Sequence, residues 1–319
     1  MKEIKIQDIK GIQVGHAQDT AGGTGCTAIL CKAGGIAGVD VRGGGPASRE
    51  TELLKPVNMV QQIHCVMLSG GSAYGLAAGD GAMAYLEERN VGFDVGVGVV
   101  PIVCGASLFD LVVGDPKSRP DKEMGYAACV AAESREPQEG NVGAGTGASV
   151  GKFLGPDRMM KSGLGIYALQ IGEVQCGAVV AVNALGDVVD YDTGKTIAGI
   201  LTRDKKGLDS TKEIMYEEIG KARNVFSGNT TLGCIVTNAK LTKDQANKLA
   251  SIAHNGYAKT ISPVHTSADG DTIFVLATGE VEVGPDALGA LAVEVMGRAV
   301  NRAARKAVSA YGLPAAKEF

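Results

Sequence analysis

The sequence predicts an α/β protein in which two stacked β-sheets are covered on both outer sides by helices, a four-layer αββα sandwich. Apolar, β-branched runs of strand length come in two batches along the chain. Amphipathic or alanine-rich helical segments flank each batch. Because every sheet must bury its apolar face against another layer, this arrangement favours sheet packed on sheet with the helices outside.

Composition narrows the function classes. The chain has 319 residues, 45% of them hydrophobic, which is enough for a full core, and a formal net charge of −4. The acidic balance and the absence of a basic stripe argue against a nucleic-acid partner. The 46 glycines stand beside valine, alanine and isoleucine, which indicates tight turns and close backbone approach in a packed sheet protein.

The cysteines and the chain start indicate a cytoplasmic protein. No CxxC pair occurs, and most cysteines lie in apolar segments, so we expect buried, reduced thiols. The seven are Cys26, Cys31, Cys65, Cys104, Cys129, Cys176 and Cys234. The first residues lack the apolar core of a signal peptide, and no segment has the length and apolar character of a membrane span. We therefore expect no membrane partner.

The predicted elements follow from periodicity and end signals. Strands are expected at Thr24 to Cys31, Gly35 to Val41, Gly96 to Val103, Leu164 to Ile171, Val174 to Asn183 and Thr272 to Thr278. Helices are expected at Ser72 to Glu88, Glu123 to Glu133, Thr242 to Thr260 and Pro285 to Tyr311, with Ser72 and Thr242 as N-caps. The segment 202–224 is charged and resembles an accessible loop and helix.

Two glycine-rich stretches invite a phosphate-binding interpretation. Arg42 to Pro46 lacks the GxxxxGK[ST] pattern, which favours a structural turn. Asn141 to Gly151 has GxGxxxG spacing without a βαβ unit, which argues against a dinucleotide site.

Asp110 and Asp115 at the ends of a loop could coordinate a cation, but loop solvation is the simpler role. We therefore predict no cofactor and no metal.

The stretch from Ser227 to Ala239 carries the central hypothesis. A polar, glycine-containing approach runs into an apolar, β-branched strand that begins at Thr230. The hypothesis is that the chain cuts itself between Asn229 and Thr230. Thr230 would then carry both a hydroxyl nucleophile and its own α-amine as base. An ordinary polar turn before a strand is the competing interpretation.

These residues resemble the S58 peptidase family, which comprises L-aminopeptidase/D-esterases, β-peptidyl aminopeptidases and nylon-oligomer endohydrolases. The likeness runs through nearly the whole chain. It is carried by Gly70 to Leu76, Phe109 to Leu111, Gly114 to Pro116, Asn141 to Gly147, Val182 to Asn183, Asn229 to Leu232, Ile235 to Ala239, Pro263 to Thr266 and Asp269 to Phe274.

The resemblance implies the αββα fold shared with the ornithine acetyltransferases and synthesis as one inactive precursor. That precursor would cleave itself into residues 1–229 and 230–319. The two pieces would stay together as one unit, and such units would assemble into a homo-oligomer, a tetramer or larger.

The resemblance also implies roles for individual residues. Thr230 matches the nucleophile, Asn183 the asparagine that contacts the oxyanion, and Lys152 a lysine that the nylon-hydrolase branch places near the nucleophile. Asp269 and Asp271 match the acidic pair of that branch, where aminopeptidase members carry a serine and a glutamate. This difference leans towards an amidase.

Elementary chemistry supports these assignments and leaves alternatives open. An α-amine has a pKa near ~7.7–8.0, so cleavage creates a base beside the hydroxyl. Asp269 and Asp271 could orient the Thr230 amine and hold the loop, or form a surface DGD turn. Lys152 could lower the pKa of the nucleophile or lie on the surface.

Two further residues compete for roles near the nucleophile. His265 has no acid partner at a readable spacing, which favours a structural role. Thr231 is the rival nucleophile, but successive strand residues face opposite sides, so only one of Thr230 and Thr231 can line a pocket.

The sequence therefore predicts an autoprocessing N-terminal-threonine hydrolase that cleaves amide bonds of small peptides or amide oligomers, including 6-aminohexanoate oligomers. One alternative is an acyltransferase of the ornithine acetyltransferase type, in which an amine takes the acyl group from the enzyme. The other is an uncleaved, non-catalytic scaffold.

Overall fold

A ten-stranded mixed sheet dominates the computed structural model, which describes residues 1–134, 136–220 and 228–319. The strands are β1 (Lys2–Ile4), β2 (Gln13–Asp19), β3 (Thr24–Val41), β4 (Ser48–Arg49), β5 (Gln62–Ser69), β6 (Phe93–Asp94), β7 (Val99–Val100), β8 (Val103–Ser107), β9 (Ser149–Val150), β10 (Met160–Lys161), β11 (Leu164–Ile171), β12 (Val174–Asn183), β13 (Asp187–Val189), β14 (Thr196–Ala198), β15 (Thr230–Ala239), β16 (Ile261–Ser262) and β17 (Thr272–Val281). The main sheet runs β1-β11-β12-β15-β17-β3-β5-β8-β4, with β2 also paired to β3.

The α-helices that pack on the two outer faces of this sheet are α1 (Ala78–Glu87), α2 (Lys122–Ser134), α4 (Lys243–Thr260) and α5 (Pro285–Lys306). The short helix α3 (Thr211–Glu217) follows β14 along the chain. Helices α4 and α5 cover β11, β12 and β17, whereas α1 and α2 cover β2, β3 and β5. Gly165 in β11 lets α5 approach closely, because a Cβ there would lie 2.0 Å from the carbonyl oxygen of Ala299.

Strand β3 turns the single hydrogen-bonded sheet into two layers. Its first part, from Cys26 to Leu30, pairs with β5, and its last part, from Ile36 to Val41, pairs with β17. The register shifts between Leu30 and Gly35, and Gly34 adopts φ +81, a backbone conformation that glycine tolerates best. Beyond this irregularity the strand continues in the second layer.

Strand alternation separates three apolar cores. Along β15, Leu232, Cys234 and Val236 face the core between the two sheet layers, whereas Ile235 faces the core under α4 and α5. A third core lies between β3, β5 and the helices α1 and α2. The order helix, sheet, sheet, helix is the predicted αββα sandwich, which the structure confirms.

Most elements fall where the sequence predicts them. The hairpin of β11 and β12 has the predicted bounds, and Thr242 caps α4 through a capping box with Gln245. The two strands expected on either side of residues 32–34 are one strand, β3. Helix α5 ends at Lys306, five residues before the predicted Tyr311, because Ala307 is extended.

Two predictions of local structure are wrong. The range Gly96 to Val103, expected as one strand, contains β7, which pairs with the preceding β6 in a short hairpin, and the first residue of β8. The continuous strand does not form because Gly96 (φ +80) and Gly98 (φ +154) leave the extended conformation. Ser72 is not a helix N-cap. It has φ +56 and begins the 3-10 turn Ser72–Ala77 that precedes α1.

All seven cysteines are buried and free, as predicted. Within the described ranges, no helix combines the length and apolar character needed to cross a membrane. The predicted charged segment is described as far as residue 220 and includes α3. Its last residues, 221–224, and Ser227 of the central stretch lie outside the described residues.

Candidate active site

The sheet topology gathers the predicted site residues around the start of β15. Strand β12 runs antiparallel to β15 and sets Asn183 directly opposite Thr230. Strand β17 runs parallel to β15, so the loop before it lies beside the approach to Thr230, where Asn229 and Asp269 form an isolated bridge. Residues from distant parts of the chain therefore meet at one strand end.

The Asn229 carbonyl oxygen receives two hydrogen bonds. The Thr230 hydroxyl donates to it, and the backbone N–H of Gly270 donates at 2.8 Å. Gly270 leaves room for the hydroxyl, since a Cβ at this position would stand 2.7 Å from Thr230 Oγ1. The hydroxyl oxygen thus lies against the peptide bond that the sequence predicts to be cut, and two donors polarise that carbonyl.

Thr231 faces away from the cavity beside Thr230. Its backbone N–H donates to Asp271 Oδ1 at 2.8 Å, and its buried hydroxyl has no hydrogen-bond partner among the described residues. Thr230 lines a cavity of about 260 Å³ together with Phe109 and Gly228. Strand alternation thus separates the two candidate nucleophiles as expected.

Lys152 and Asn183 form a buried pair next to Thr230. Lys152 Nζ donates to Asn183 Oδ1 at 2.6 Å, and the N–H of Ser149 donates to the same oxygen at 3.1 Å. The Asn183 Nδ2 group donates to the Phe109 carbonyl at 2.8 Å. In the continuous chain the donors at the Asn229 carbonyl are therefore Thr230 and Gly270, and the Asn183 amide is engaged elsewhere.

Two buried groups of the site titrate near neutral pH. Burial lowers the pKa of Lys152 to about 7, against the opposing influence of the carboxylates of Asp269, Asp110 and Asp271. Burial, followed by the nearby Asp271 carboxylate, raises the pKa of Asp269 to about 6. The expectation that Lys152 could lie on the surface is wrong, because its side chain is buried.

The acidic pair is buried, which rules out the surface-turn interpretation. Asp269 Oδ2 accepts from the N–H of Thr266 at 2.9 Å and from its hydroxyl at 2.5 Å, and Oδ1 accepts from the N–H of Leu185 at 3.3 Å. Asp271 binds the N–H of Thr231. The two carboxylates thus hold the loop and the strand start in register around Thr230.

His265 has an acid partner, Asp271, that the sequence spacing does not reveal. The ring nitrogen Nδ1 of His265 lies 2.8 Å from Asp271 Oδ2, and the backbone N–H of His265 donates to the same oxygen at 3.2 Å. The rings of His265 and His254 meet edge to face with centroids 4.7 Å apart. The spacing of six residues across a loop has no periodic signal, which is why sequence reasoning missed this pair.

Asp110 is a second residue that sequence reasoning misplaced. It is buried and accepts from the Thr24 hydroxyl at 2.7 Å and from the Gly71 N–H at 2.6 Å, so neither loop solvation nor an exposed cation site fits it. Burial raises the pKa of its carboxyl. In the part of the chain that the structure describes, no group of three or more His, Cys, Asp or Glu residues could hold a metal ion.

The turn from Arg42 to Pro46 supports the acidic loop from behind. The N–H of Gly45 donates to the Asp269 carbonyl at 2.8 Å, and that of Arg42 donates to the Asp271 carbonyl at 3.0 Å. A Cβ on Gly43 would lie 2.3 Å from the Asp269 carbonyl oxygen, so the close approach needs glycine. The glycine-rich stretch is the structural turn that the sequence predicts.

Known structures share this fold. An L-aminopeptidase/D-Ala-esterase/amidase from Ochrobactrum anthropi, described as a variant of the N-terminal-nucleophile hydrolase fold, matches 95% of this chain and 86% of its own with a TM-score of 0.71 at 18% identity. A β-aminopeptidase from Burkholderia sp. matches 94% of this chain and 85% of its own with a TM-score of 0.66 at 21% identity. The fold is that of the N-terminal-nucleophile hydrolases.

The chain belongs to peptidase family S58, whose family model matches residues 5–317. An uncharacterized aminopeptidase of Mycobacterium leprae is 40% identical over 97% of this chain and 92% of its own length. A 6-aminohexanoate-oligomer endohydrolase of Kocuria sp. is 32% identical over 93% of this chain and 85% of its own. The protein is a hydrolase of the peptidase and amidase class.

Proposed function

We propose that the chain cuts itself between Asn229 and Thr230 and then hydrolyses amide bonds through an acyl-enzyme on the Thr230 hydroxyl. The observation that carries this proposal is the pair of hydrogen bonds at the Asn229 carbonyl, where the Thr230 hydroxyl and the Gly270 N–H meet the same oxygen. An ordinary turn before a strand does not require a hydroxyl at this point.

The first step is an intramolecular acyl shift. Thr230 Oγ1 attacks the Asn229 carbonyl carbon, a C–O bond forms, and the Gly270 N–H stabilises the oxyanion. The C–N bond to Thr230 then breaks, and the hydroxyl proton ends on the released amine. Water hydrolyses the resulting ester, which leaves the Asn229 carboxylate, a free Thr230 hydroxyl and a free α-amine.

Lys152 is the proposed proton acceptor for this step, because the residue-230 nitrogen is still an amide. A lysine with a pKa of about 7 is partly neutral at neutral pH. A neutral amine can donate one N–H to Asn183 Oδ1 at 2.6 Å and keep its lone pair for the hydroxyl proton. In the cleaved enzyme the Thr230 α-amine takes over this role.

Turnover repeats the same chemistry on an external amide. The Thr230 hydroxyl attacks the substrate carbonyl, the amine departs, and water releases the acid. The Asn183 Nδ2 group carries two N–H donors, so one can stay on the Phe109 carbonyl while the other serves the substrate oxyanion. The substrates are peptides or amide oligomers, which fits the aminopeptidase and oligomer-hydrolase names of relatives at 40% and 32% identity and the acidic pair Asp269 and Asp271.

The test measures self-cleavage and hydrolysis together. Purified protein is incubated with p-nitroanilides, β-peptides and 6-aminohexanoate oligomers, and chain integrity is followed on denaturing gels. Amide hydrolysis should appear only as the two fragments form. Thr230→Ala should abolish both, whereas Thr231→Ala should retain both. A wild-type chain that stays intact and inactive towards every substrate would refute the proposal.

A further inference from the structure

Gly228, two residues before the proposed nucleophile, lies directly on the ring of Phe109. A Cβ built on Gly228 would stand 2.4 Å from Phe109 Cγ, 2.6 Å from its Cβ and 2.7 Å from Cδ2. Distances below 3 Å are overlaps, and Cβ of Phe109 is fixed by the backbone, so the 2.6 Å overlap with it persists in every rotamer of the ring. The space at position 228 therefore accepts a residue without a Cβ atom, such as glycine, and excludes a residue with a side chain.

Phe109 is held in place from both sides. Its carbonyl oxygen accepts the Asn183 Nδ2 hydrogen bond at 2.8 Å. The next residue, Asp110, is buried and fixed by the Gly71 N–H and the Thr24 hydroxyl. Because these contacts anchor the backbone under the ring, the wall against Gly228 cannot withdraw easily. The rest of the cavity lining near Thr230 includes the small residues Ala47, Ser72 and Ser107.

In the proposed self-cleavage, the residue whose carbonyl is attacked is Asn229, the first acyl residue. Gly228, which precedes it, is the second acyl residue, or second acyl unit. The same hydroxyl later attacks external amides, so an incoming acyl chain must reach Thr230 along the path that these two residues occupy. We propose that Phe109 is a specificity-determining residue, whose ring restricts the second acyl unit of a substrate to an unbranched one. This inference rests on the proposed function.

The substrate class follows from this geometry. Glycine at the second acyl position fits, and so does the methylene chain of a linear ω-amino acid. An α-substituted residue places a carbon where the Phe109 ring stands. Where this overlap must be accommodated in the transition state, we expect it to slow the reaction by roughly 10- to 100-fold.

Self-cleavage provides the first test, because the chain is its own substrate. Gly228→Ala should slow the appearance of the fragments by roughly 10- to 100-fold. Adding Phe109→Gly to that variant removes all three overlapping atoms and should restore most of the rate. Adding Phe109→Leu instead keeps Cβ and Cγ and should restore little. Wild-type cleavage rates in Gly228→Ala would overturn the inference.

A pair of substrates tests the same steric restriction by Phe109 on the wild-type enzyme, so the result does not depend on whether a variant folds. The cleaved wild-type enzyme is given acetyl-Gly-Asn p-nitroanilide and acetyl-Ala-Asn p-nitroanilide, which differ by the one critical carbon. A kcat/KM at least about 10-fold higher for the glycine substrate supports the inference, and equal values overturn it. Failure of the proposed function looks different, since the wild-type chain would then neither cleave itself nor release nitroaniline.

Discussion

The backbone N–H of Gly270 donates a 2.8 Å hydrogen bond to the carbonyl oxygen of Asn229. This contact comes from the parallel bridge between Asn229 and Asp269, so the sheet itself places a donor at the bond proposed to break. A backbone donor cannot be read from a side-chain motif. The family resemblance assigns an oxyanion contact to Asn183, and in the continuous chain the Asn183 Nδ2 group donates to the Phe109 carbonyl.

Gly270→Ala should slow self-cleavage strongly. The new Cβ would stand 2.7 Å from Thr230 Oγ1 and 2.8 Å from the Gly45 carbonyl oxygen, which displaces either the hydroxyl or the donating N–H. Loss of one oxyanion donor commonly lowers a rate by about 10²–10³-fold. Fragment formation over time on denaturing gels measures the effect. Gly284→Ala is the control, because a Cβ there meets nothing within 4 Å.

The rate of self-cleavage should rise with pH. Protonated Lys152, whose pKa is about 7, cannot accept the Thr230 proton, and Asp269 becomes ionised above its pKa of about 6. The rate should therefore be low at pH 5, rise with a midpoint near the Lys152 pKa of about 7 and level off above about pH 8. Precursor refolded at pH 5 and transferred to a series of buffers supplies the profile.

A self-cleavage rate that falls with rising pH would favour the other role considered for Lys152, in which its positive charge lowers the pKa of the nucleophile. If the protonated ammonium were the active form, the rate would fall as the pH rises above 7, and the proton-acceptor role would be wrong. Lys152→Arg keeps a positive charge at every accessible pH, and we expect it to remain uncut.

His265 should matter through the hydrogen bond that it donates to Asp271. His265→Asn keeps an N–H donor close to the position of Nδ1 and tolerates the left-handed backbone (φ +56), so its self-cleavage should stay near the wild-type rate. His265→Asp has nearly the same shape but sets a carboxylate against Asp271, and cleavage should slow by about 10-fold or more. Equal rates for the two variants would show that the hydrogen bond has no influence.

Lys161 should be a stability determinant, because it holds the glycine-rich stretch before Lys152. Its buried Nζ donates to the carbonyl oxygens of Gly145, Ala148 and Ser162 at 3.0, 2.9 and 2.5 Å. Lys161→Met leaves these acceptors without their donor and should lower the free energy of unfolding by about 2–5 kcal/mol, measured by denaturant titration. Lys10→Met, at an exposed position, should change it little.

The fold was accessible to sequence reasoning because its signals are local. The β11–β12 hairpin, the Thr242 capping box and the strand β17 follow from alternation and end residues within a short window. Strand β3 was harder, since its bend between Leu30 and Gly35 depends on pairing to different neighbours in the two layers. Local pattern predicts two strands there, and the tertiary pairing joins them.

The site was accessible only where the family motif names a residue. The residues that the motif names lie close together in the structure: Thr230, Asn183, Lys152 and the acidic pair. The motif does not contain the contacts that set their protonation and hydrogen bonding. The burial that brings the pKa of Lys152 to about 7 depends on how the layers close over it. The His265–Asp271 contact arises from a loop conformation and has no sequence period.

The central claim is that one scission gives Thr230 a free amine beside its hydroxyl, and the intact mass of the active enzyme tests it most directly. The active preparation should contain two polypeptides, residues 1–229 and 230–319, with the second beginning at an unblocked threonine. Thr230→Ala should give one polypeptide of full length. A fully active wild-type enzyme whose mass is that of the uncut chain would contradict the account.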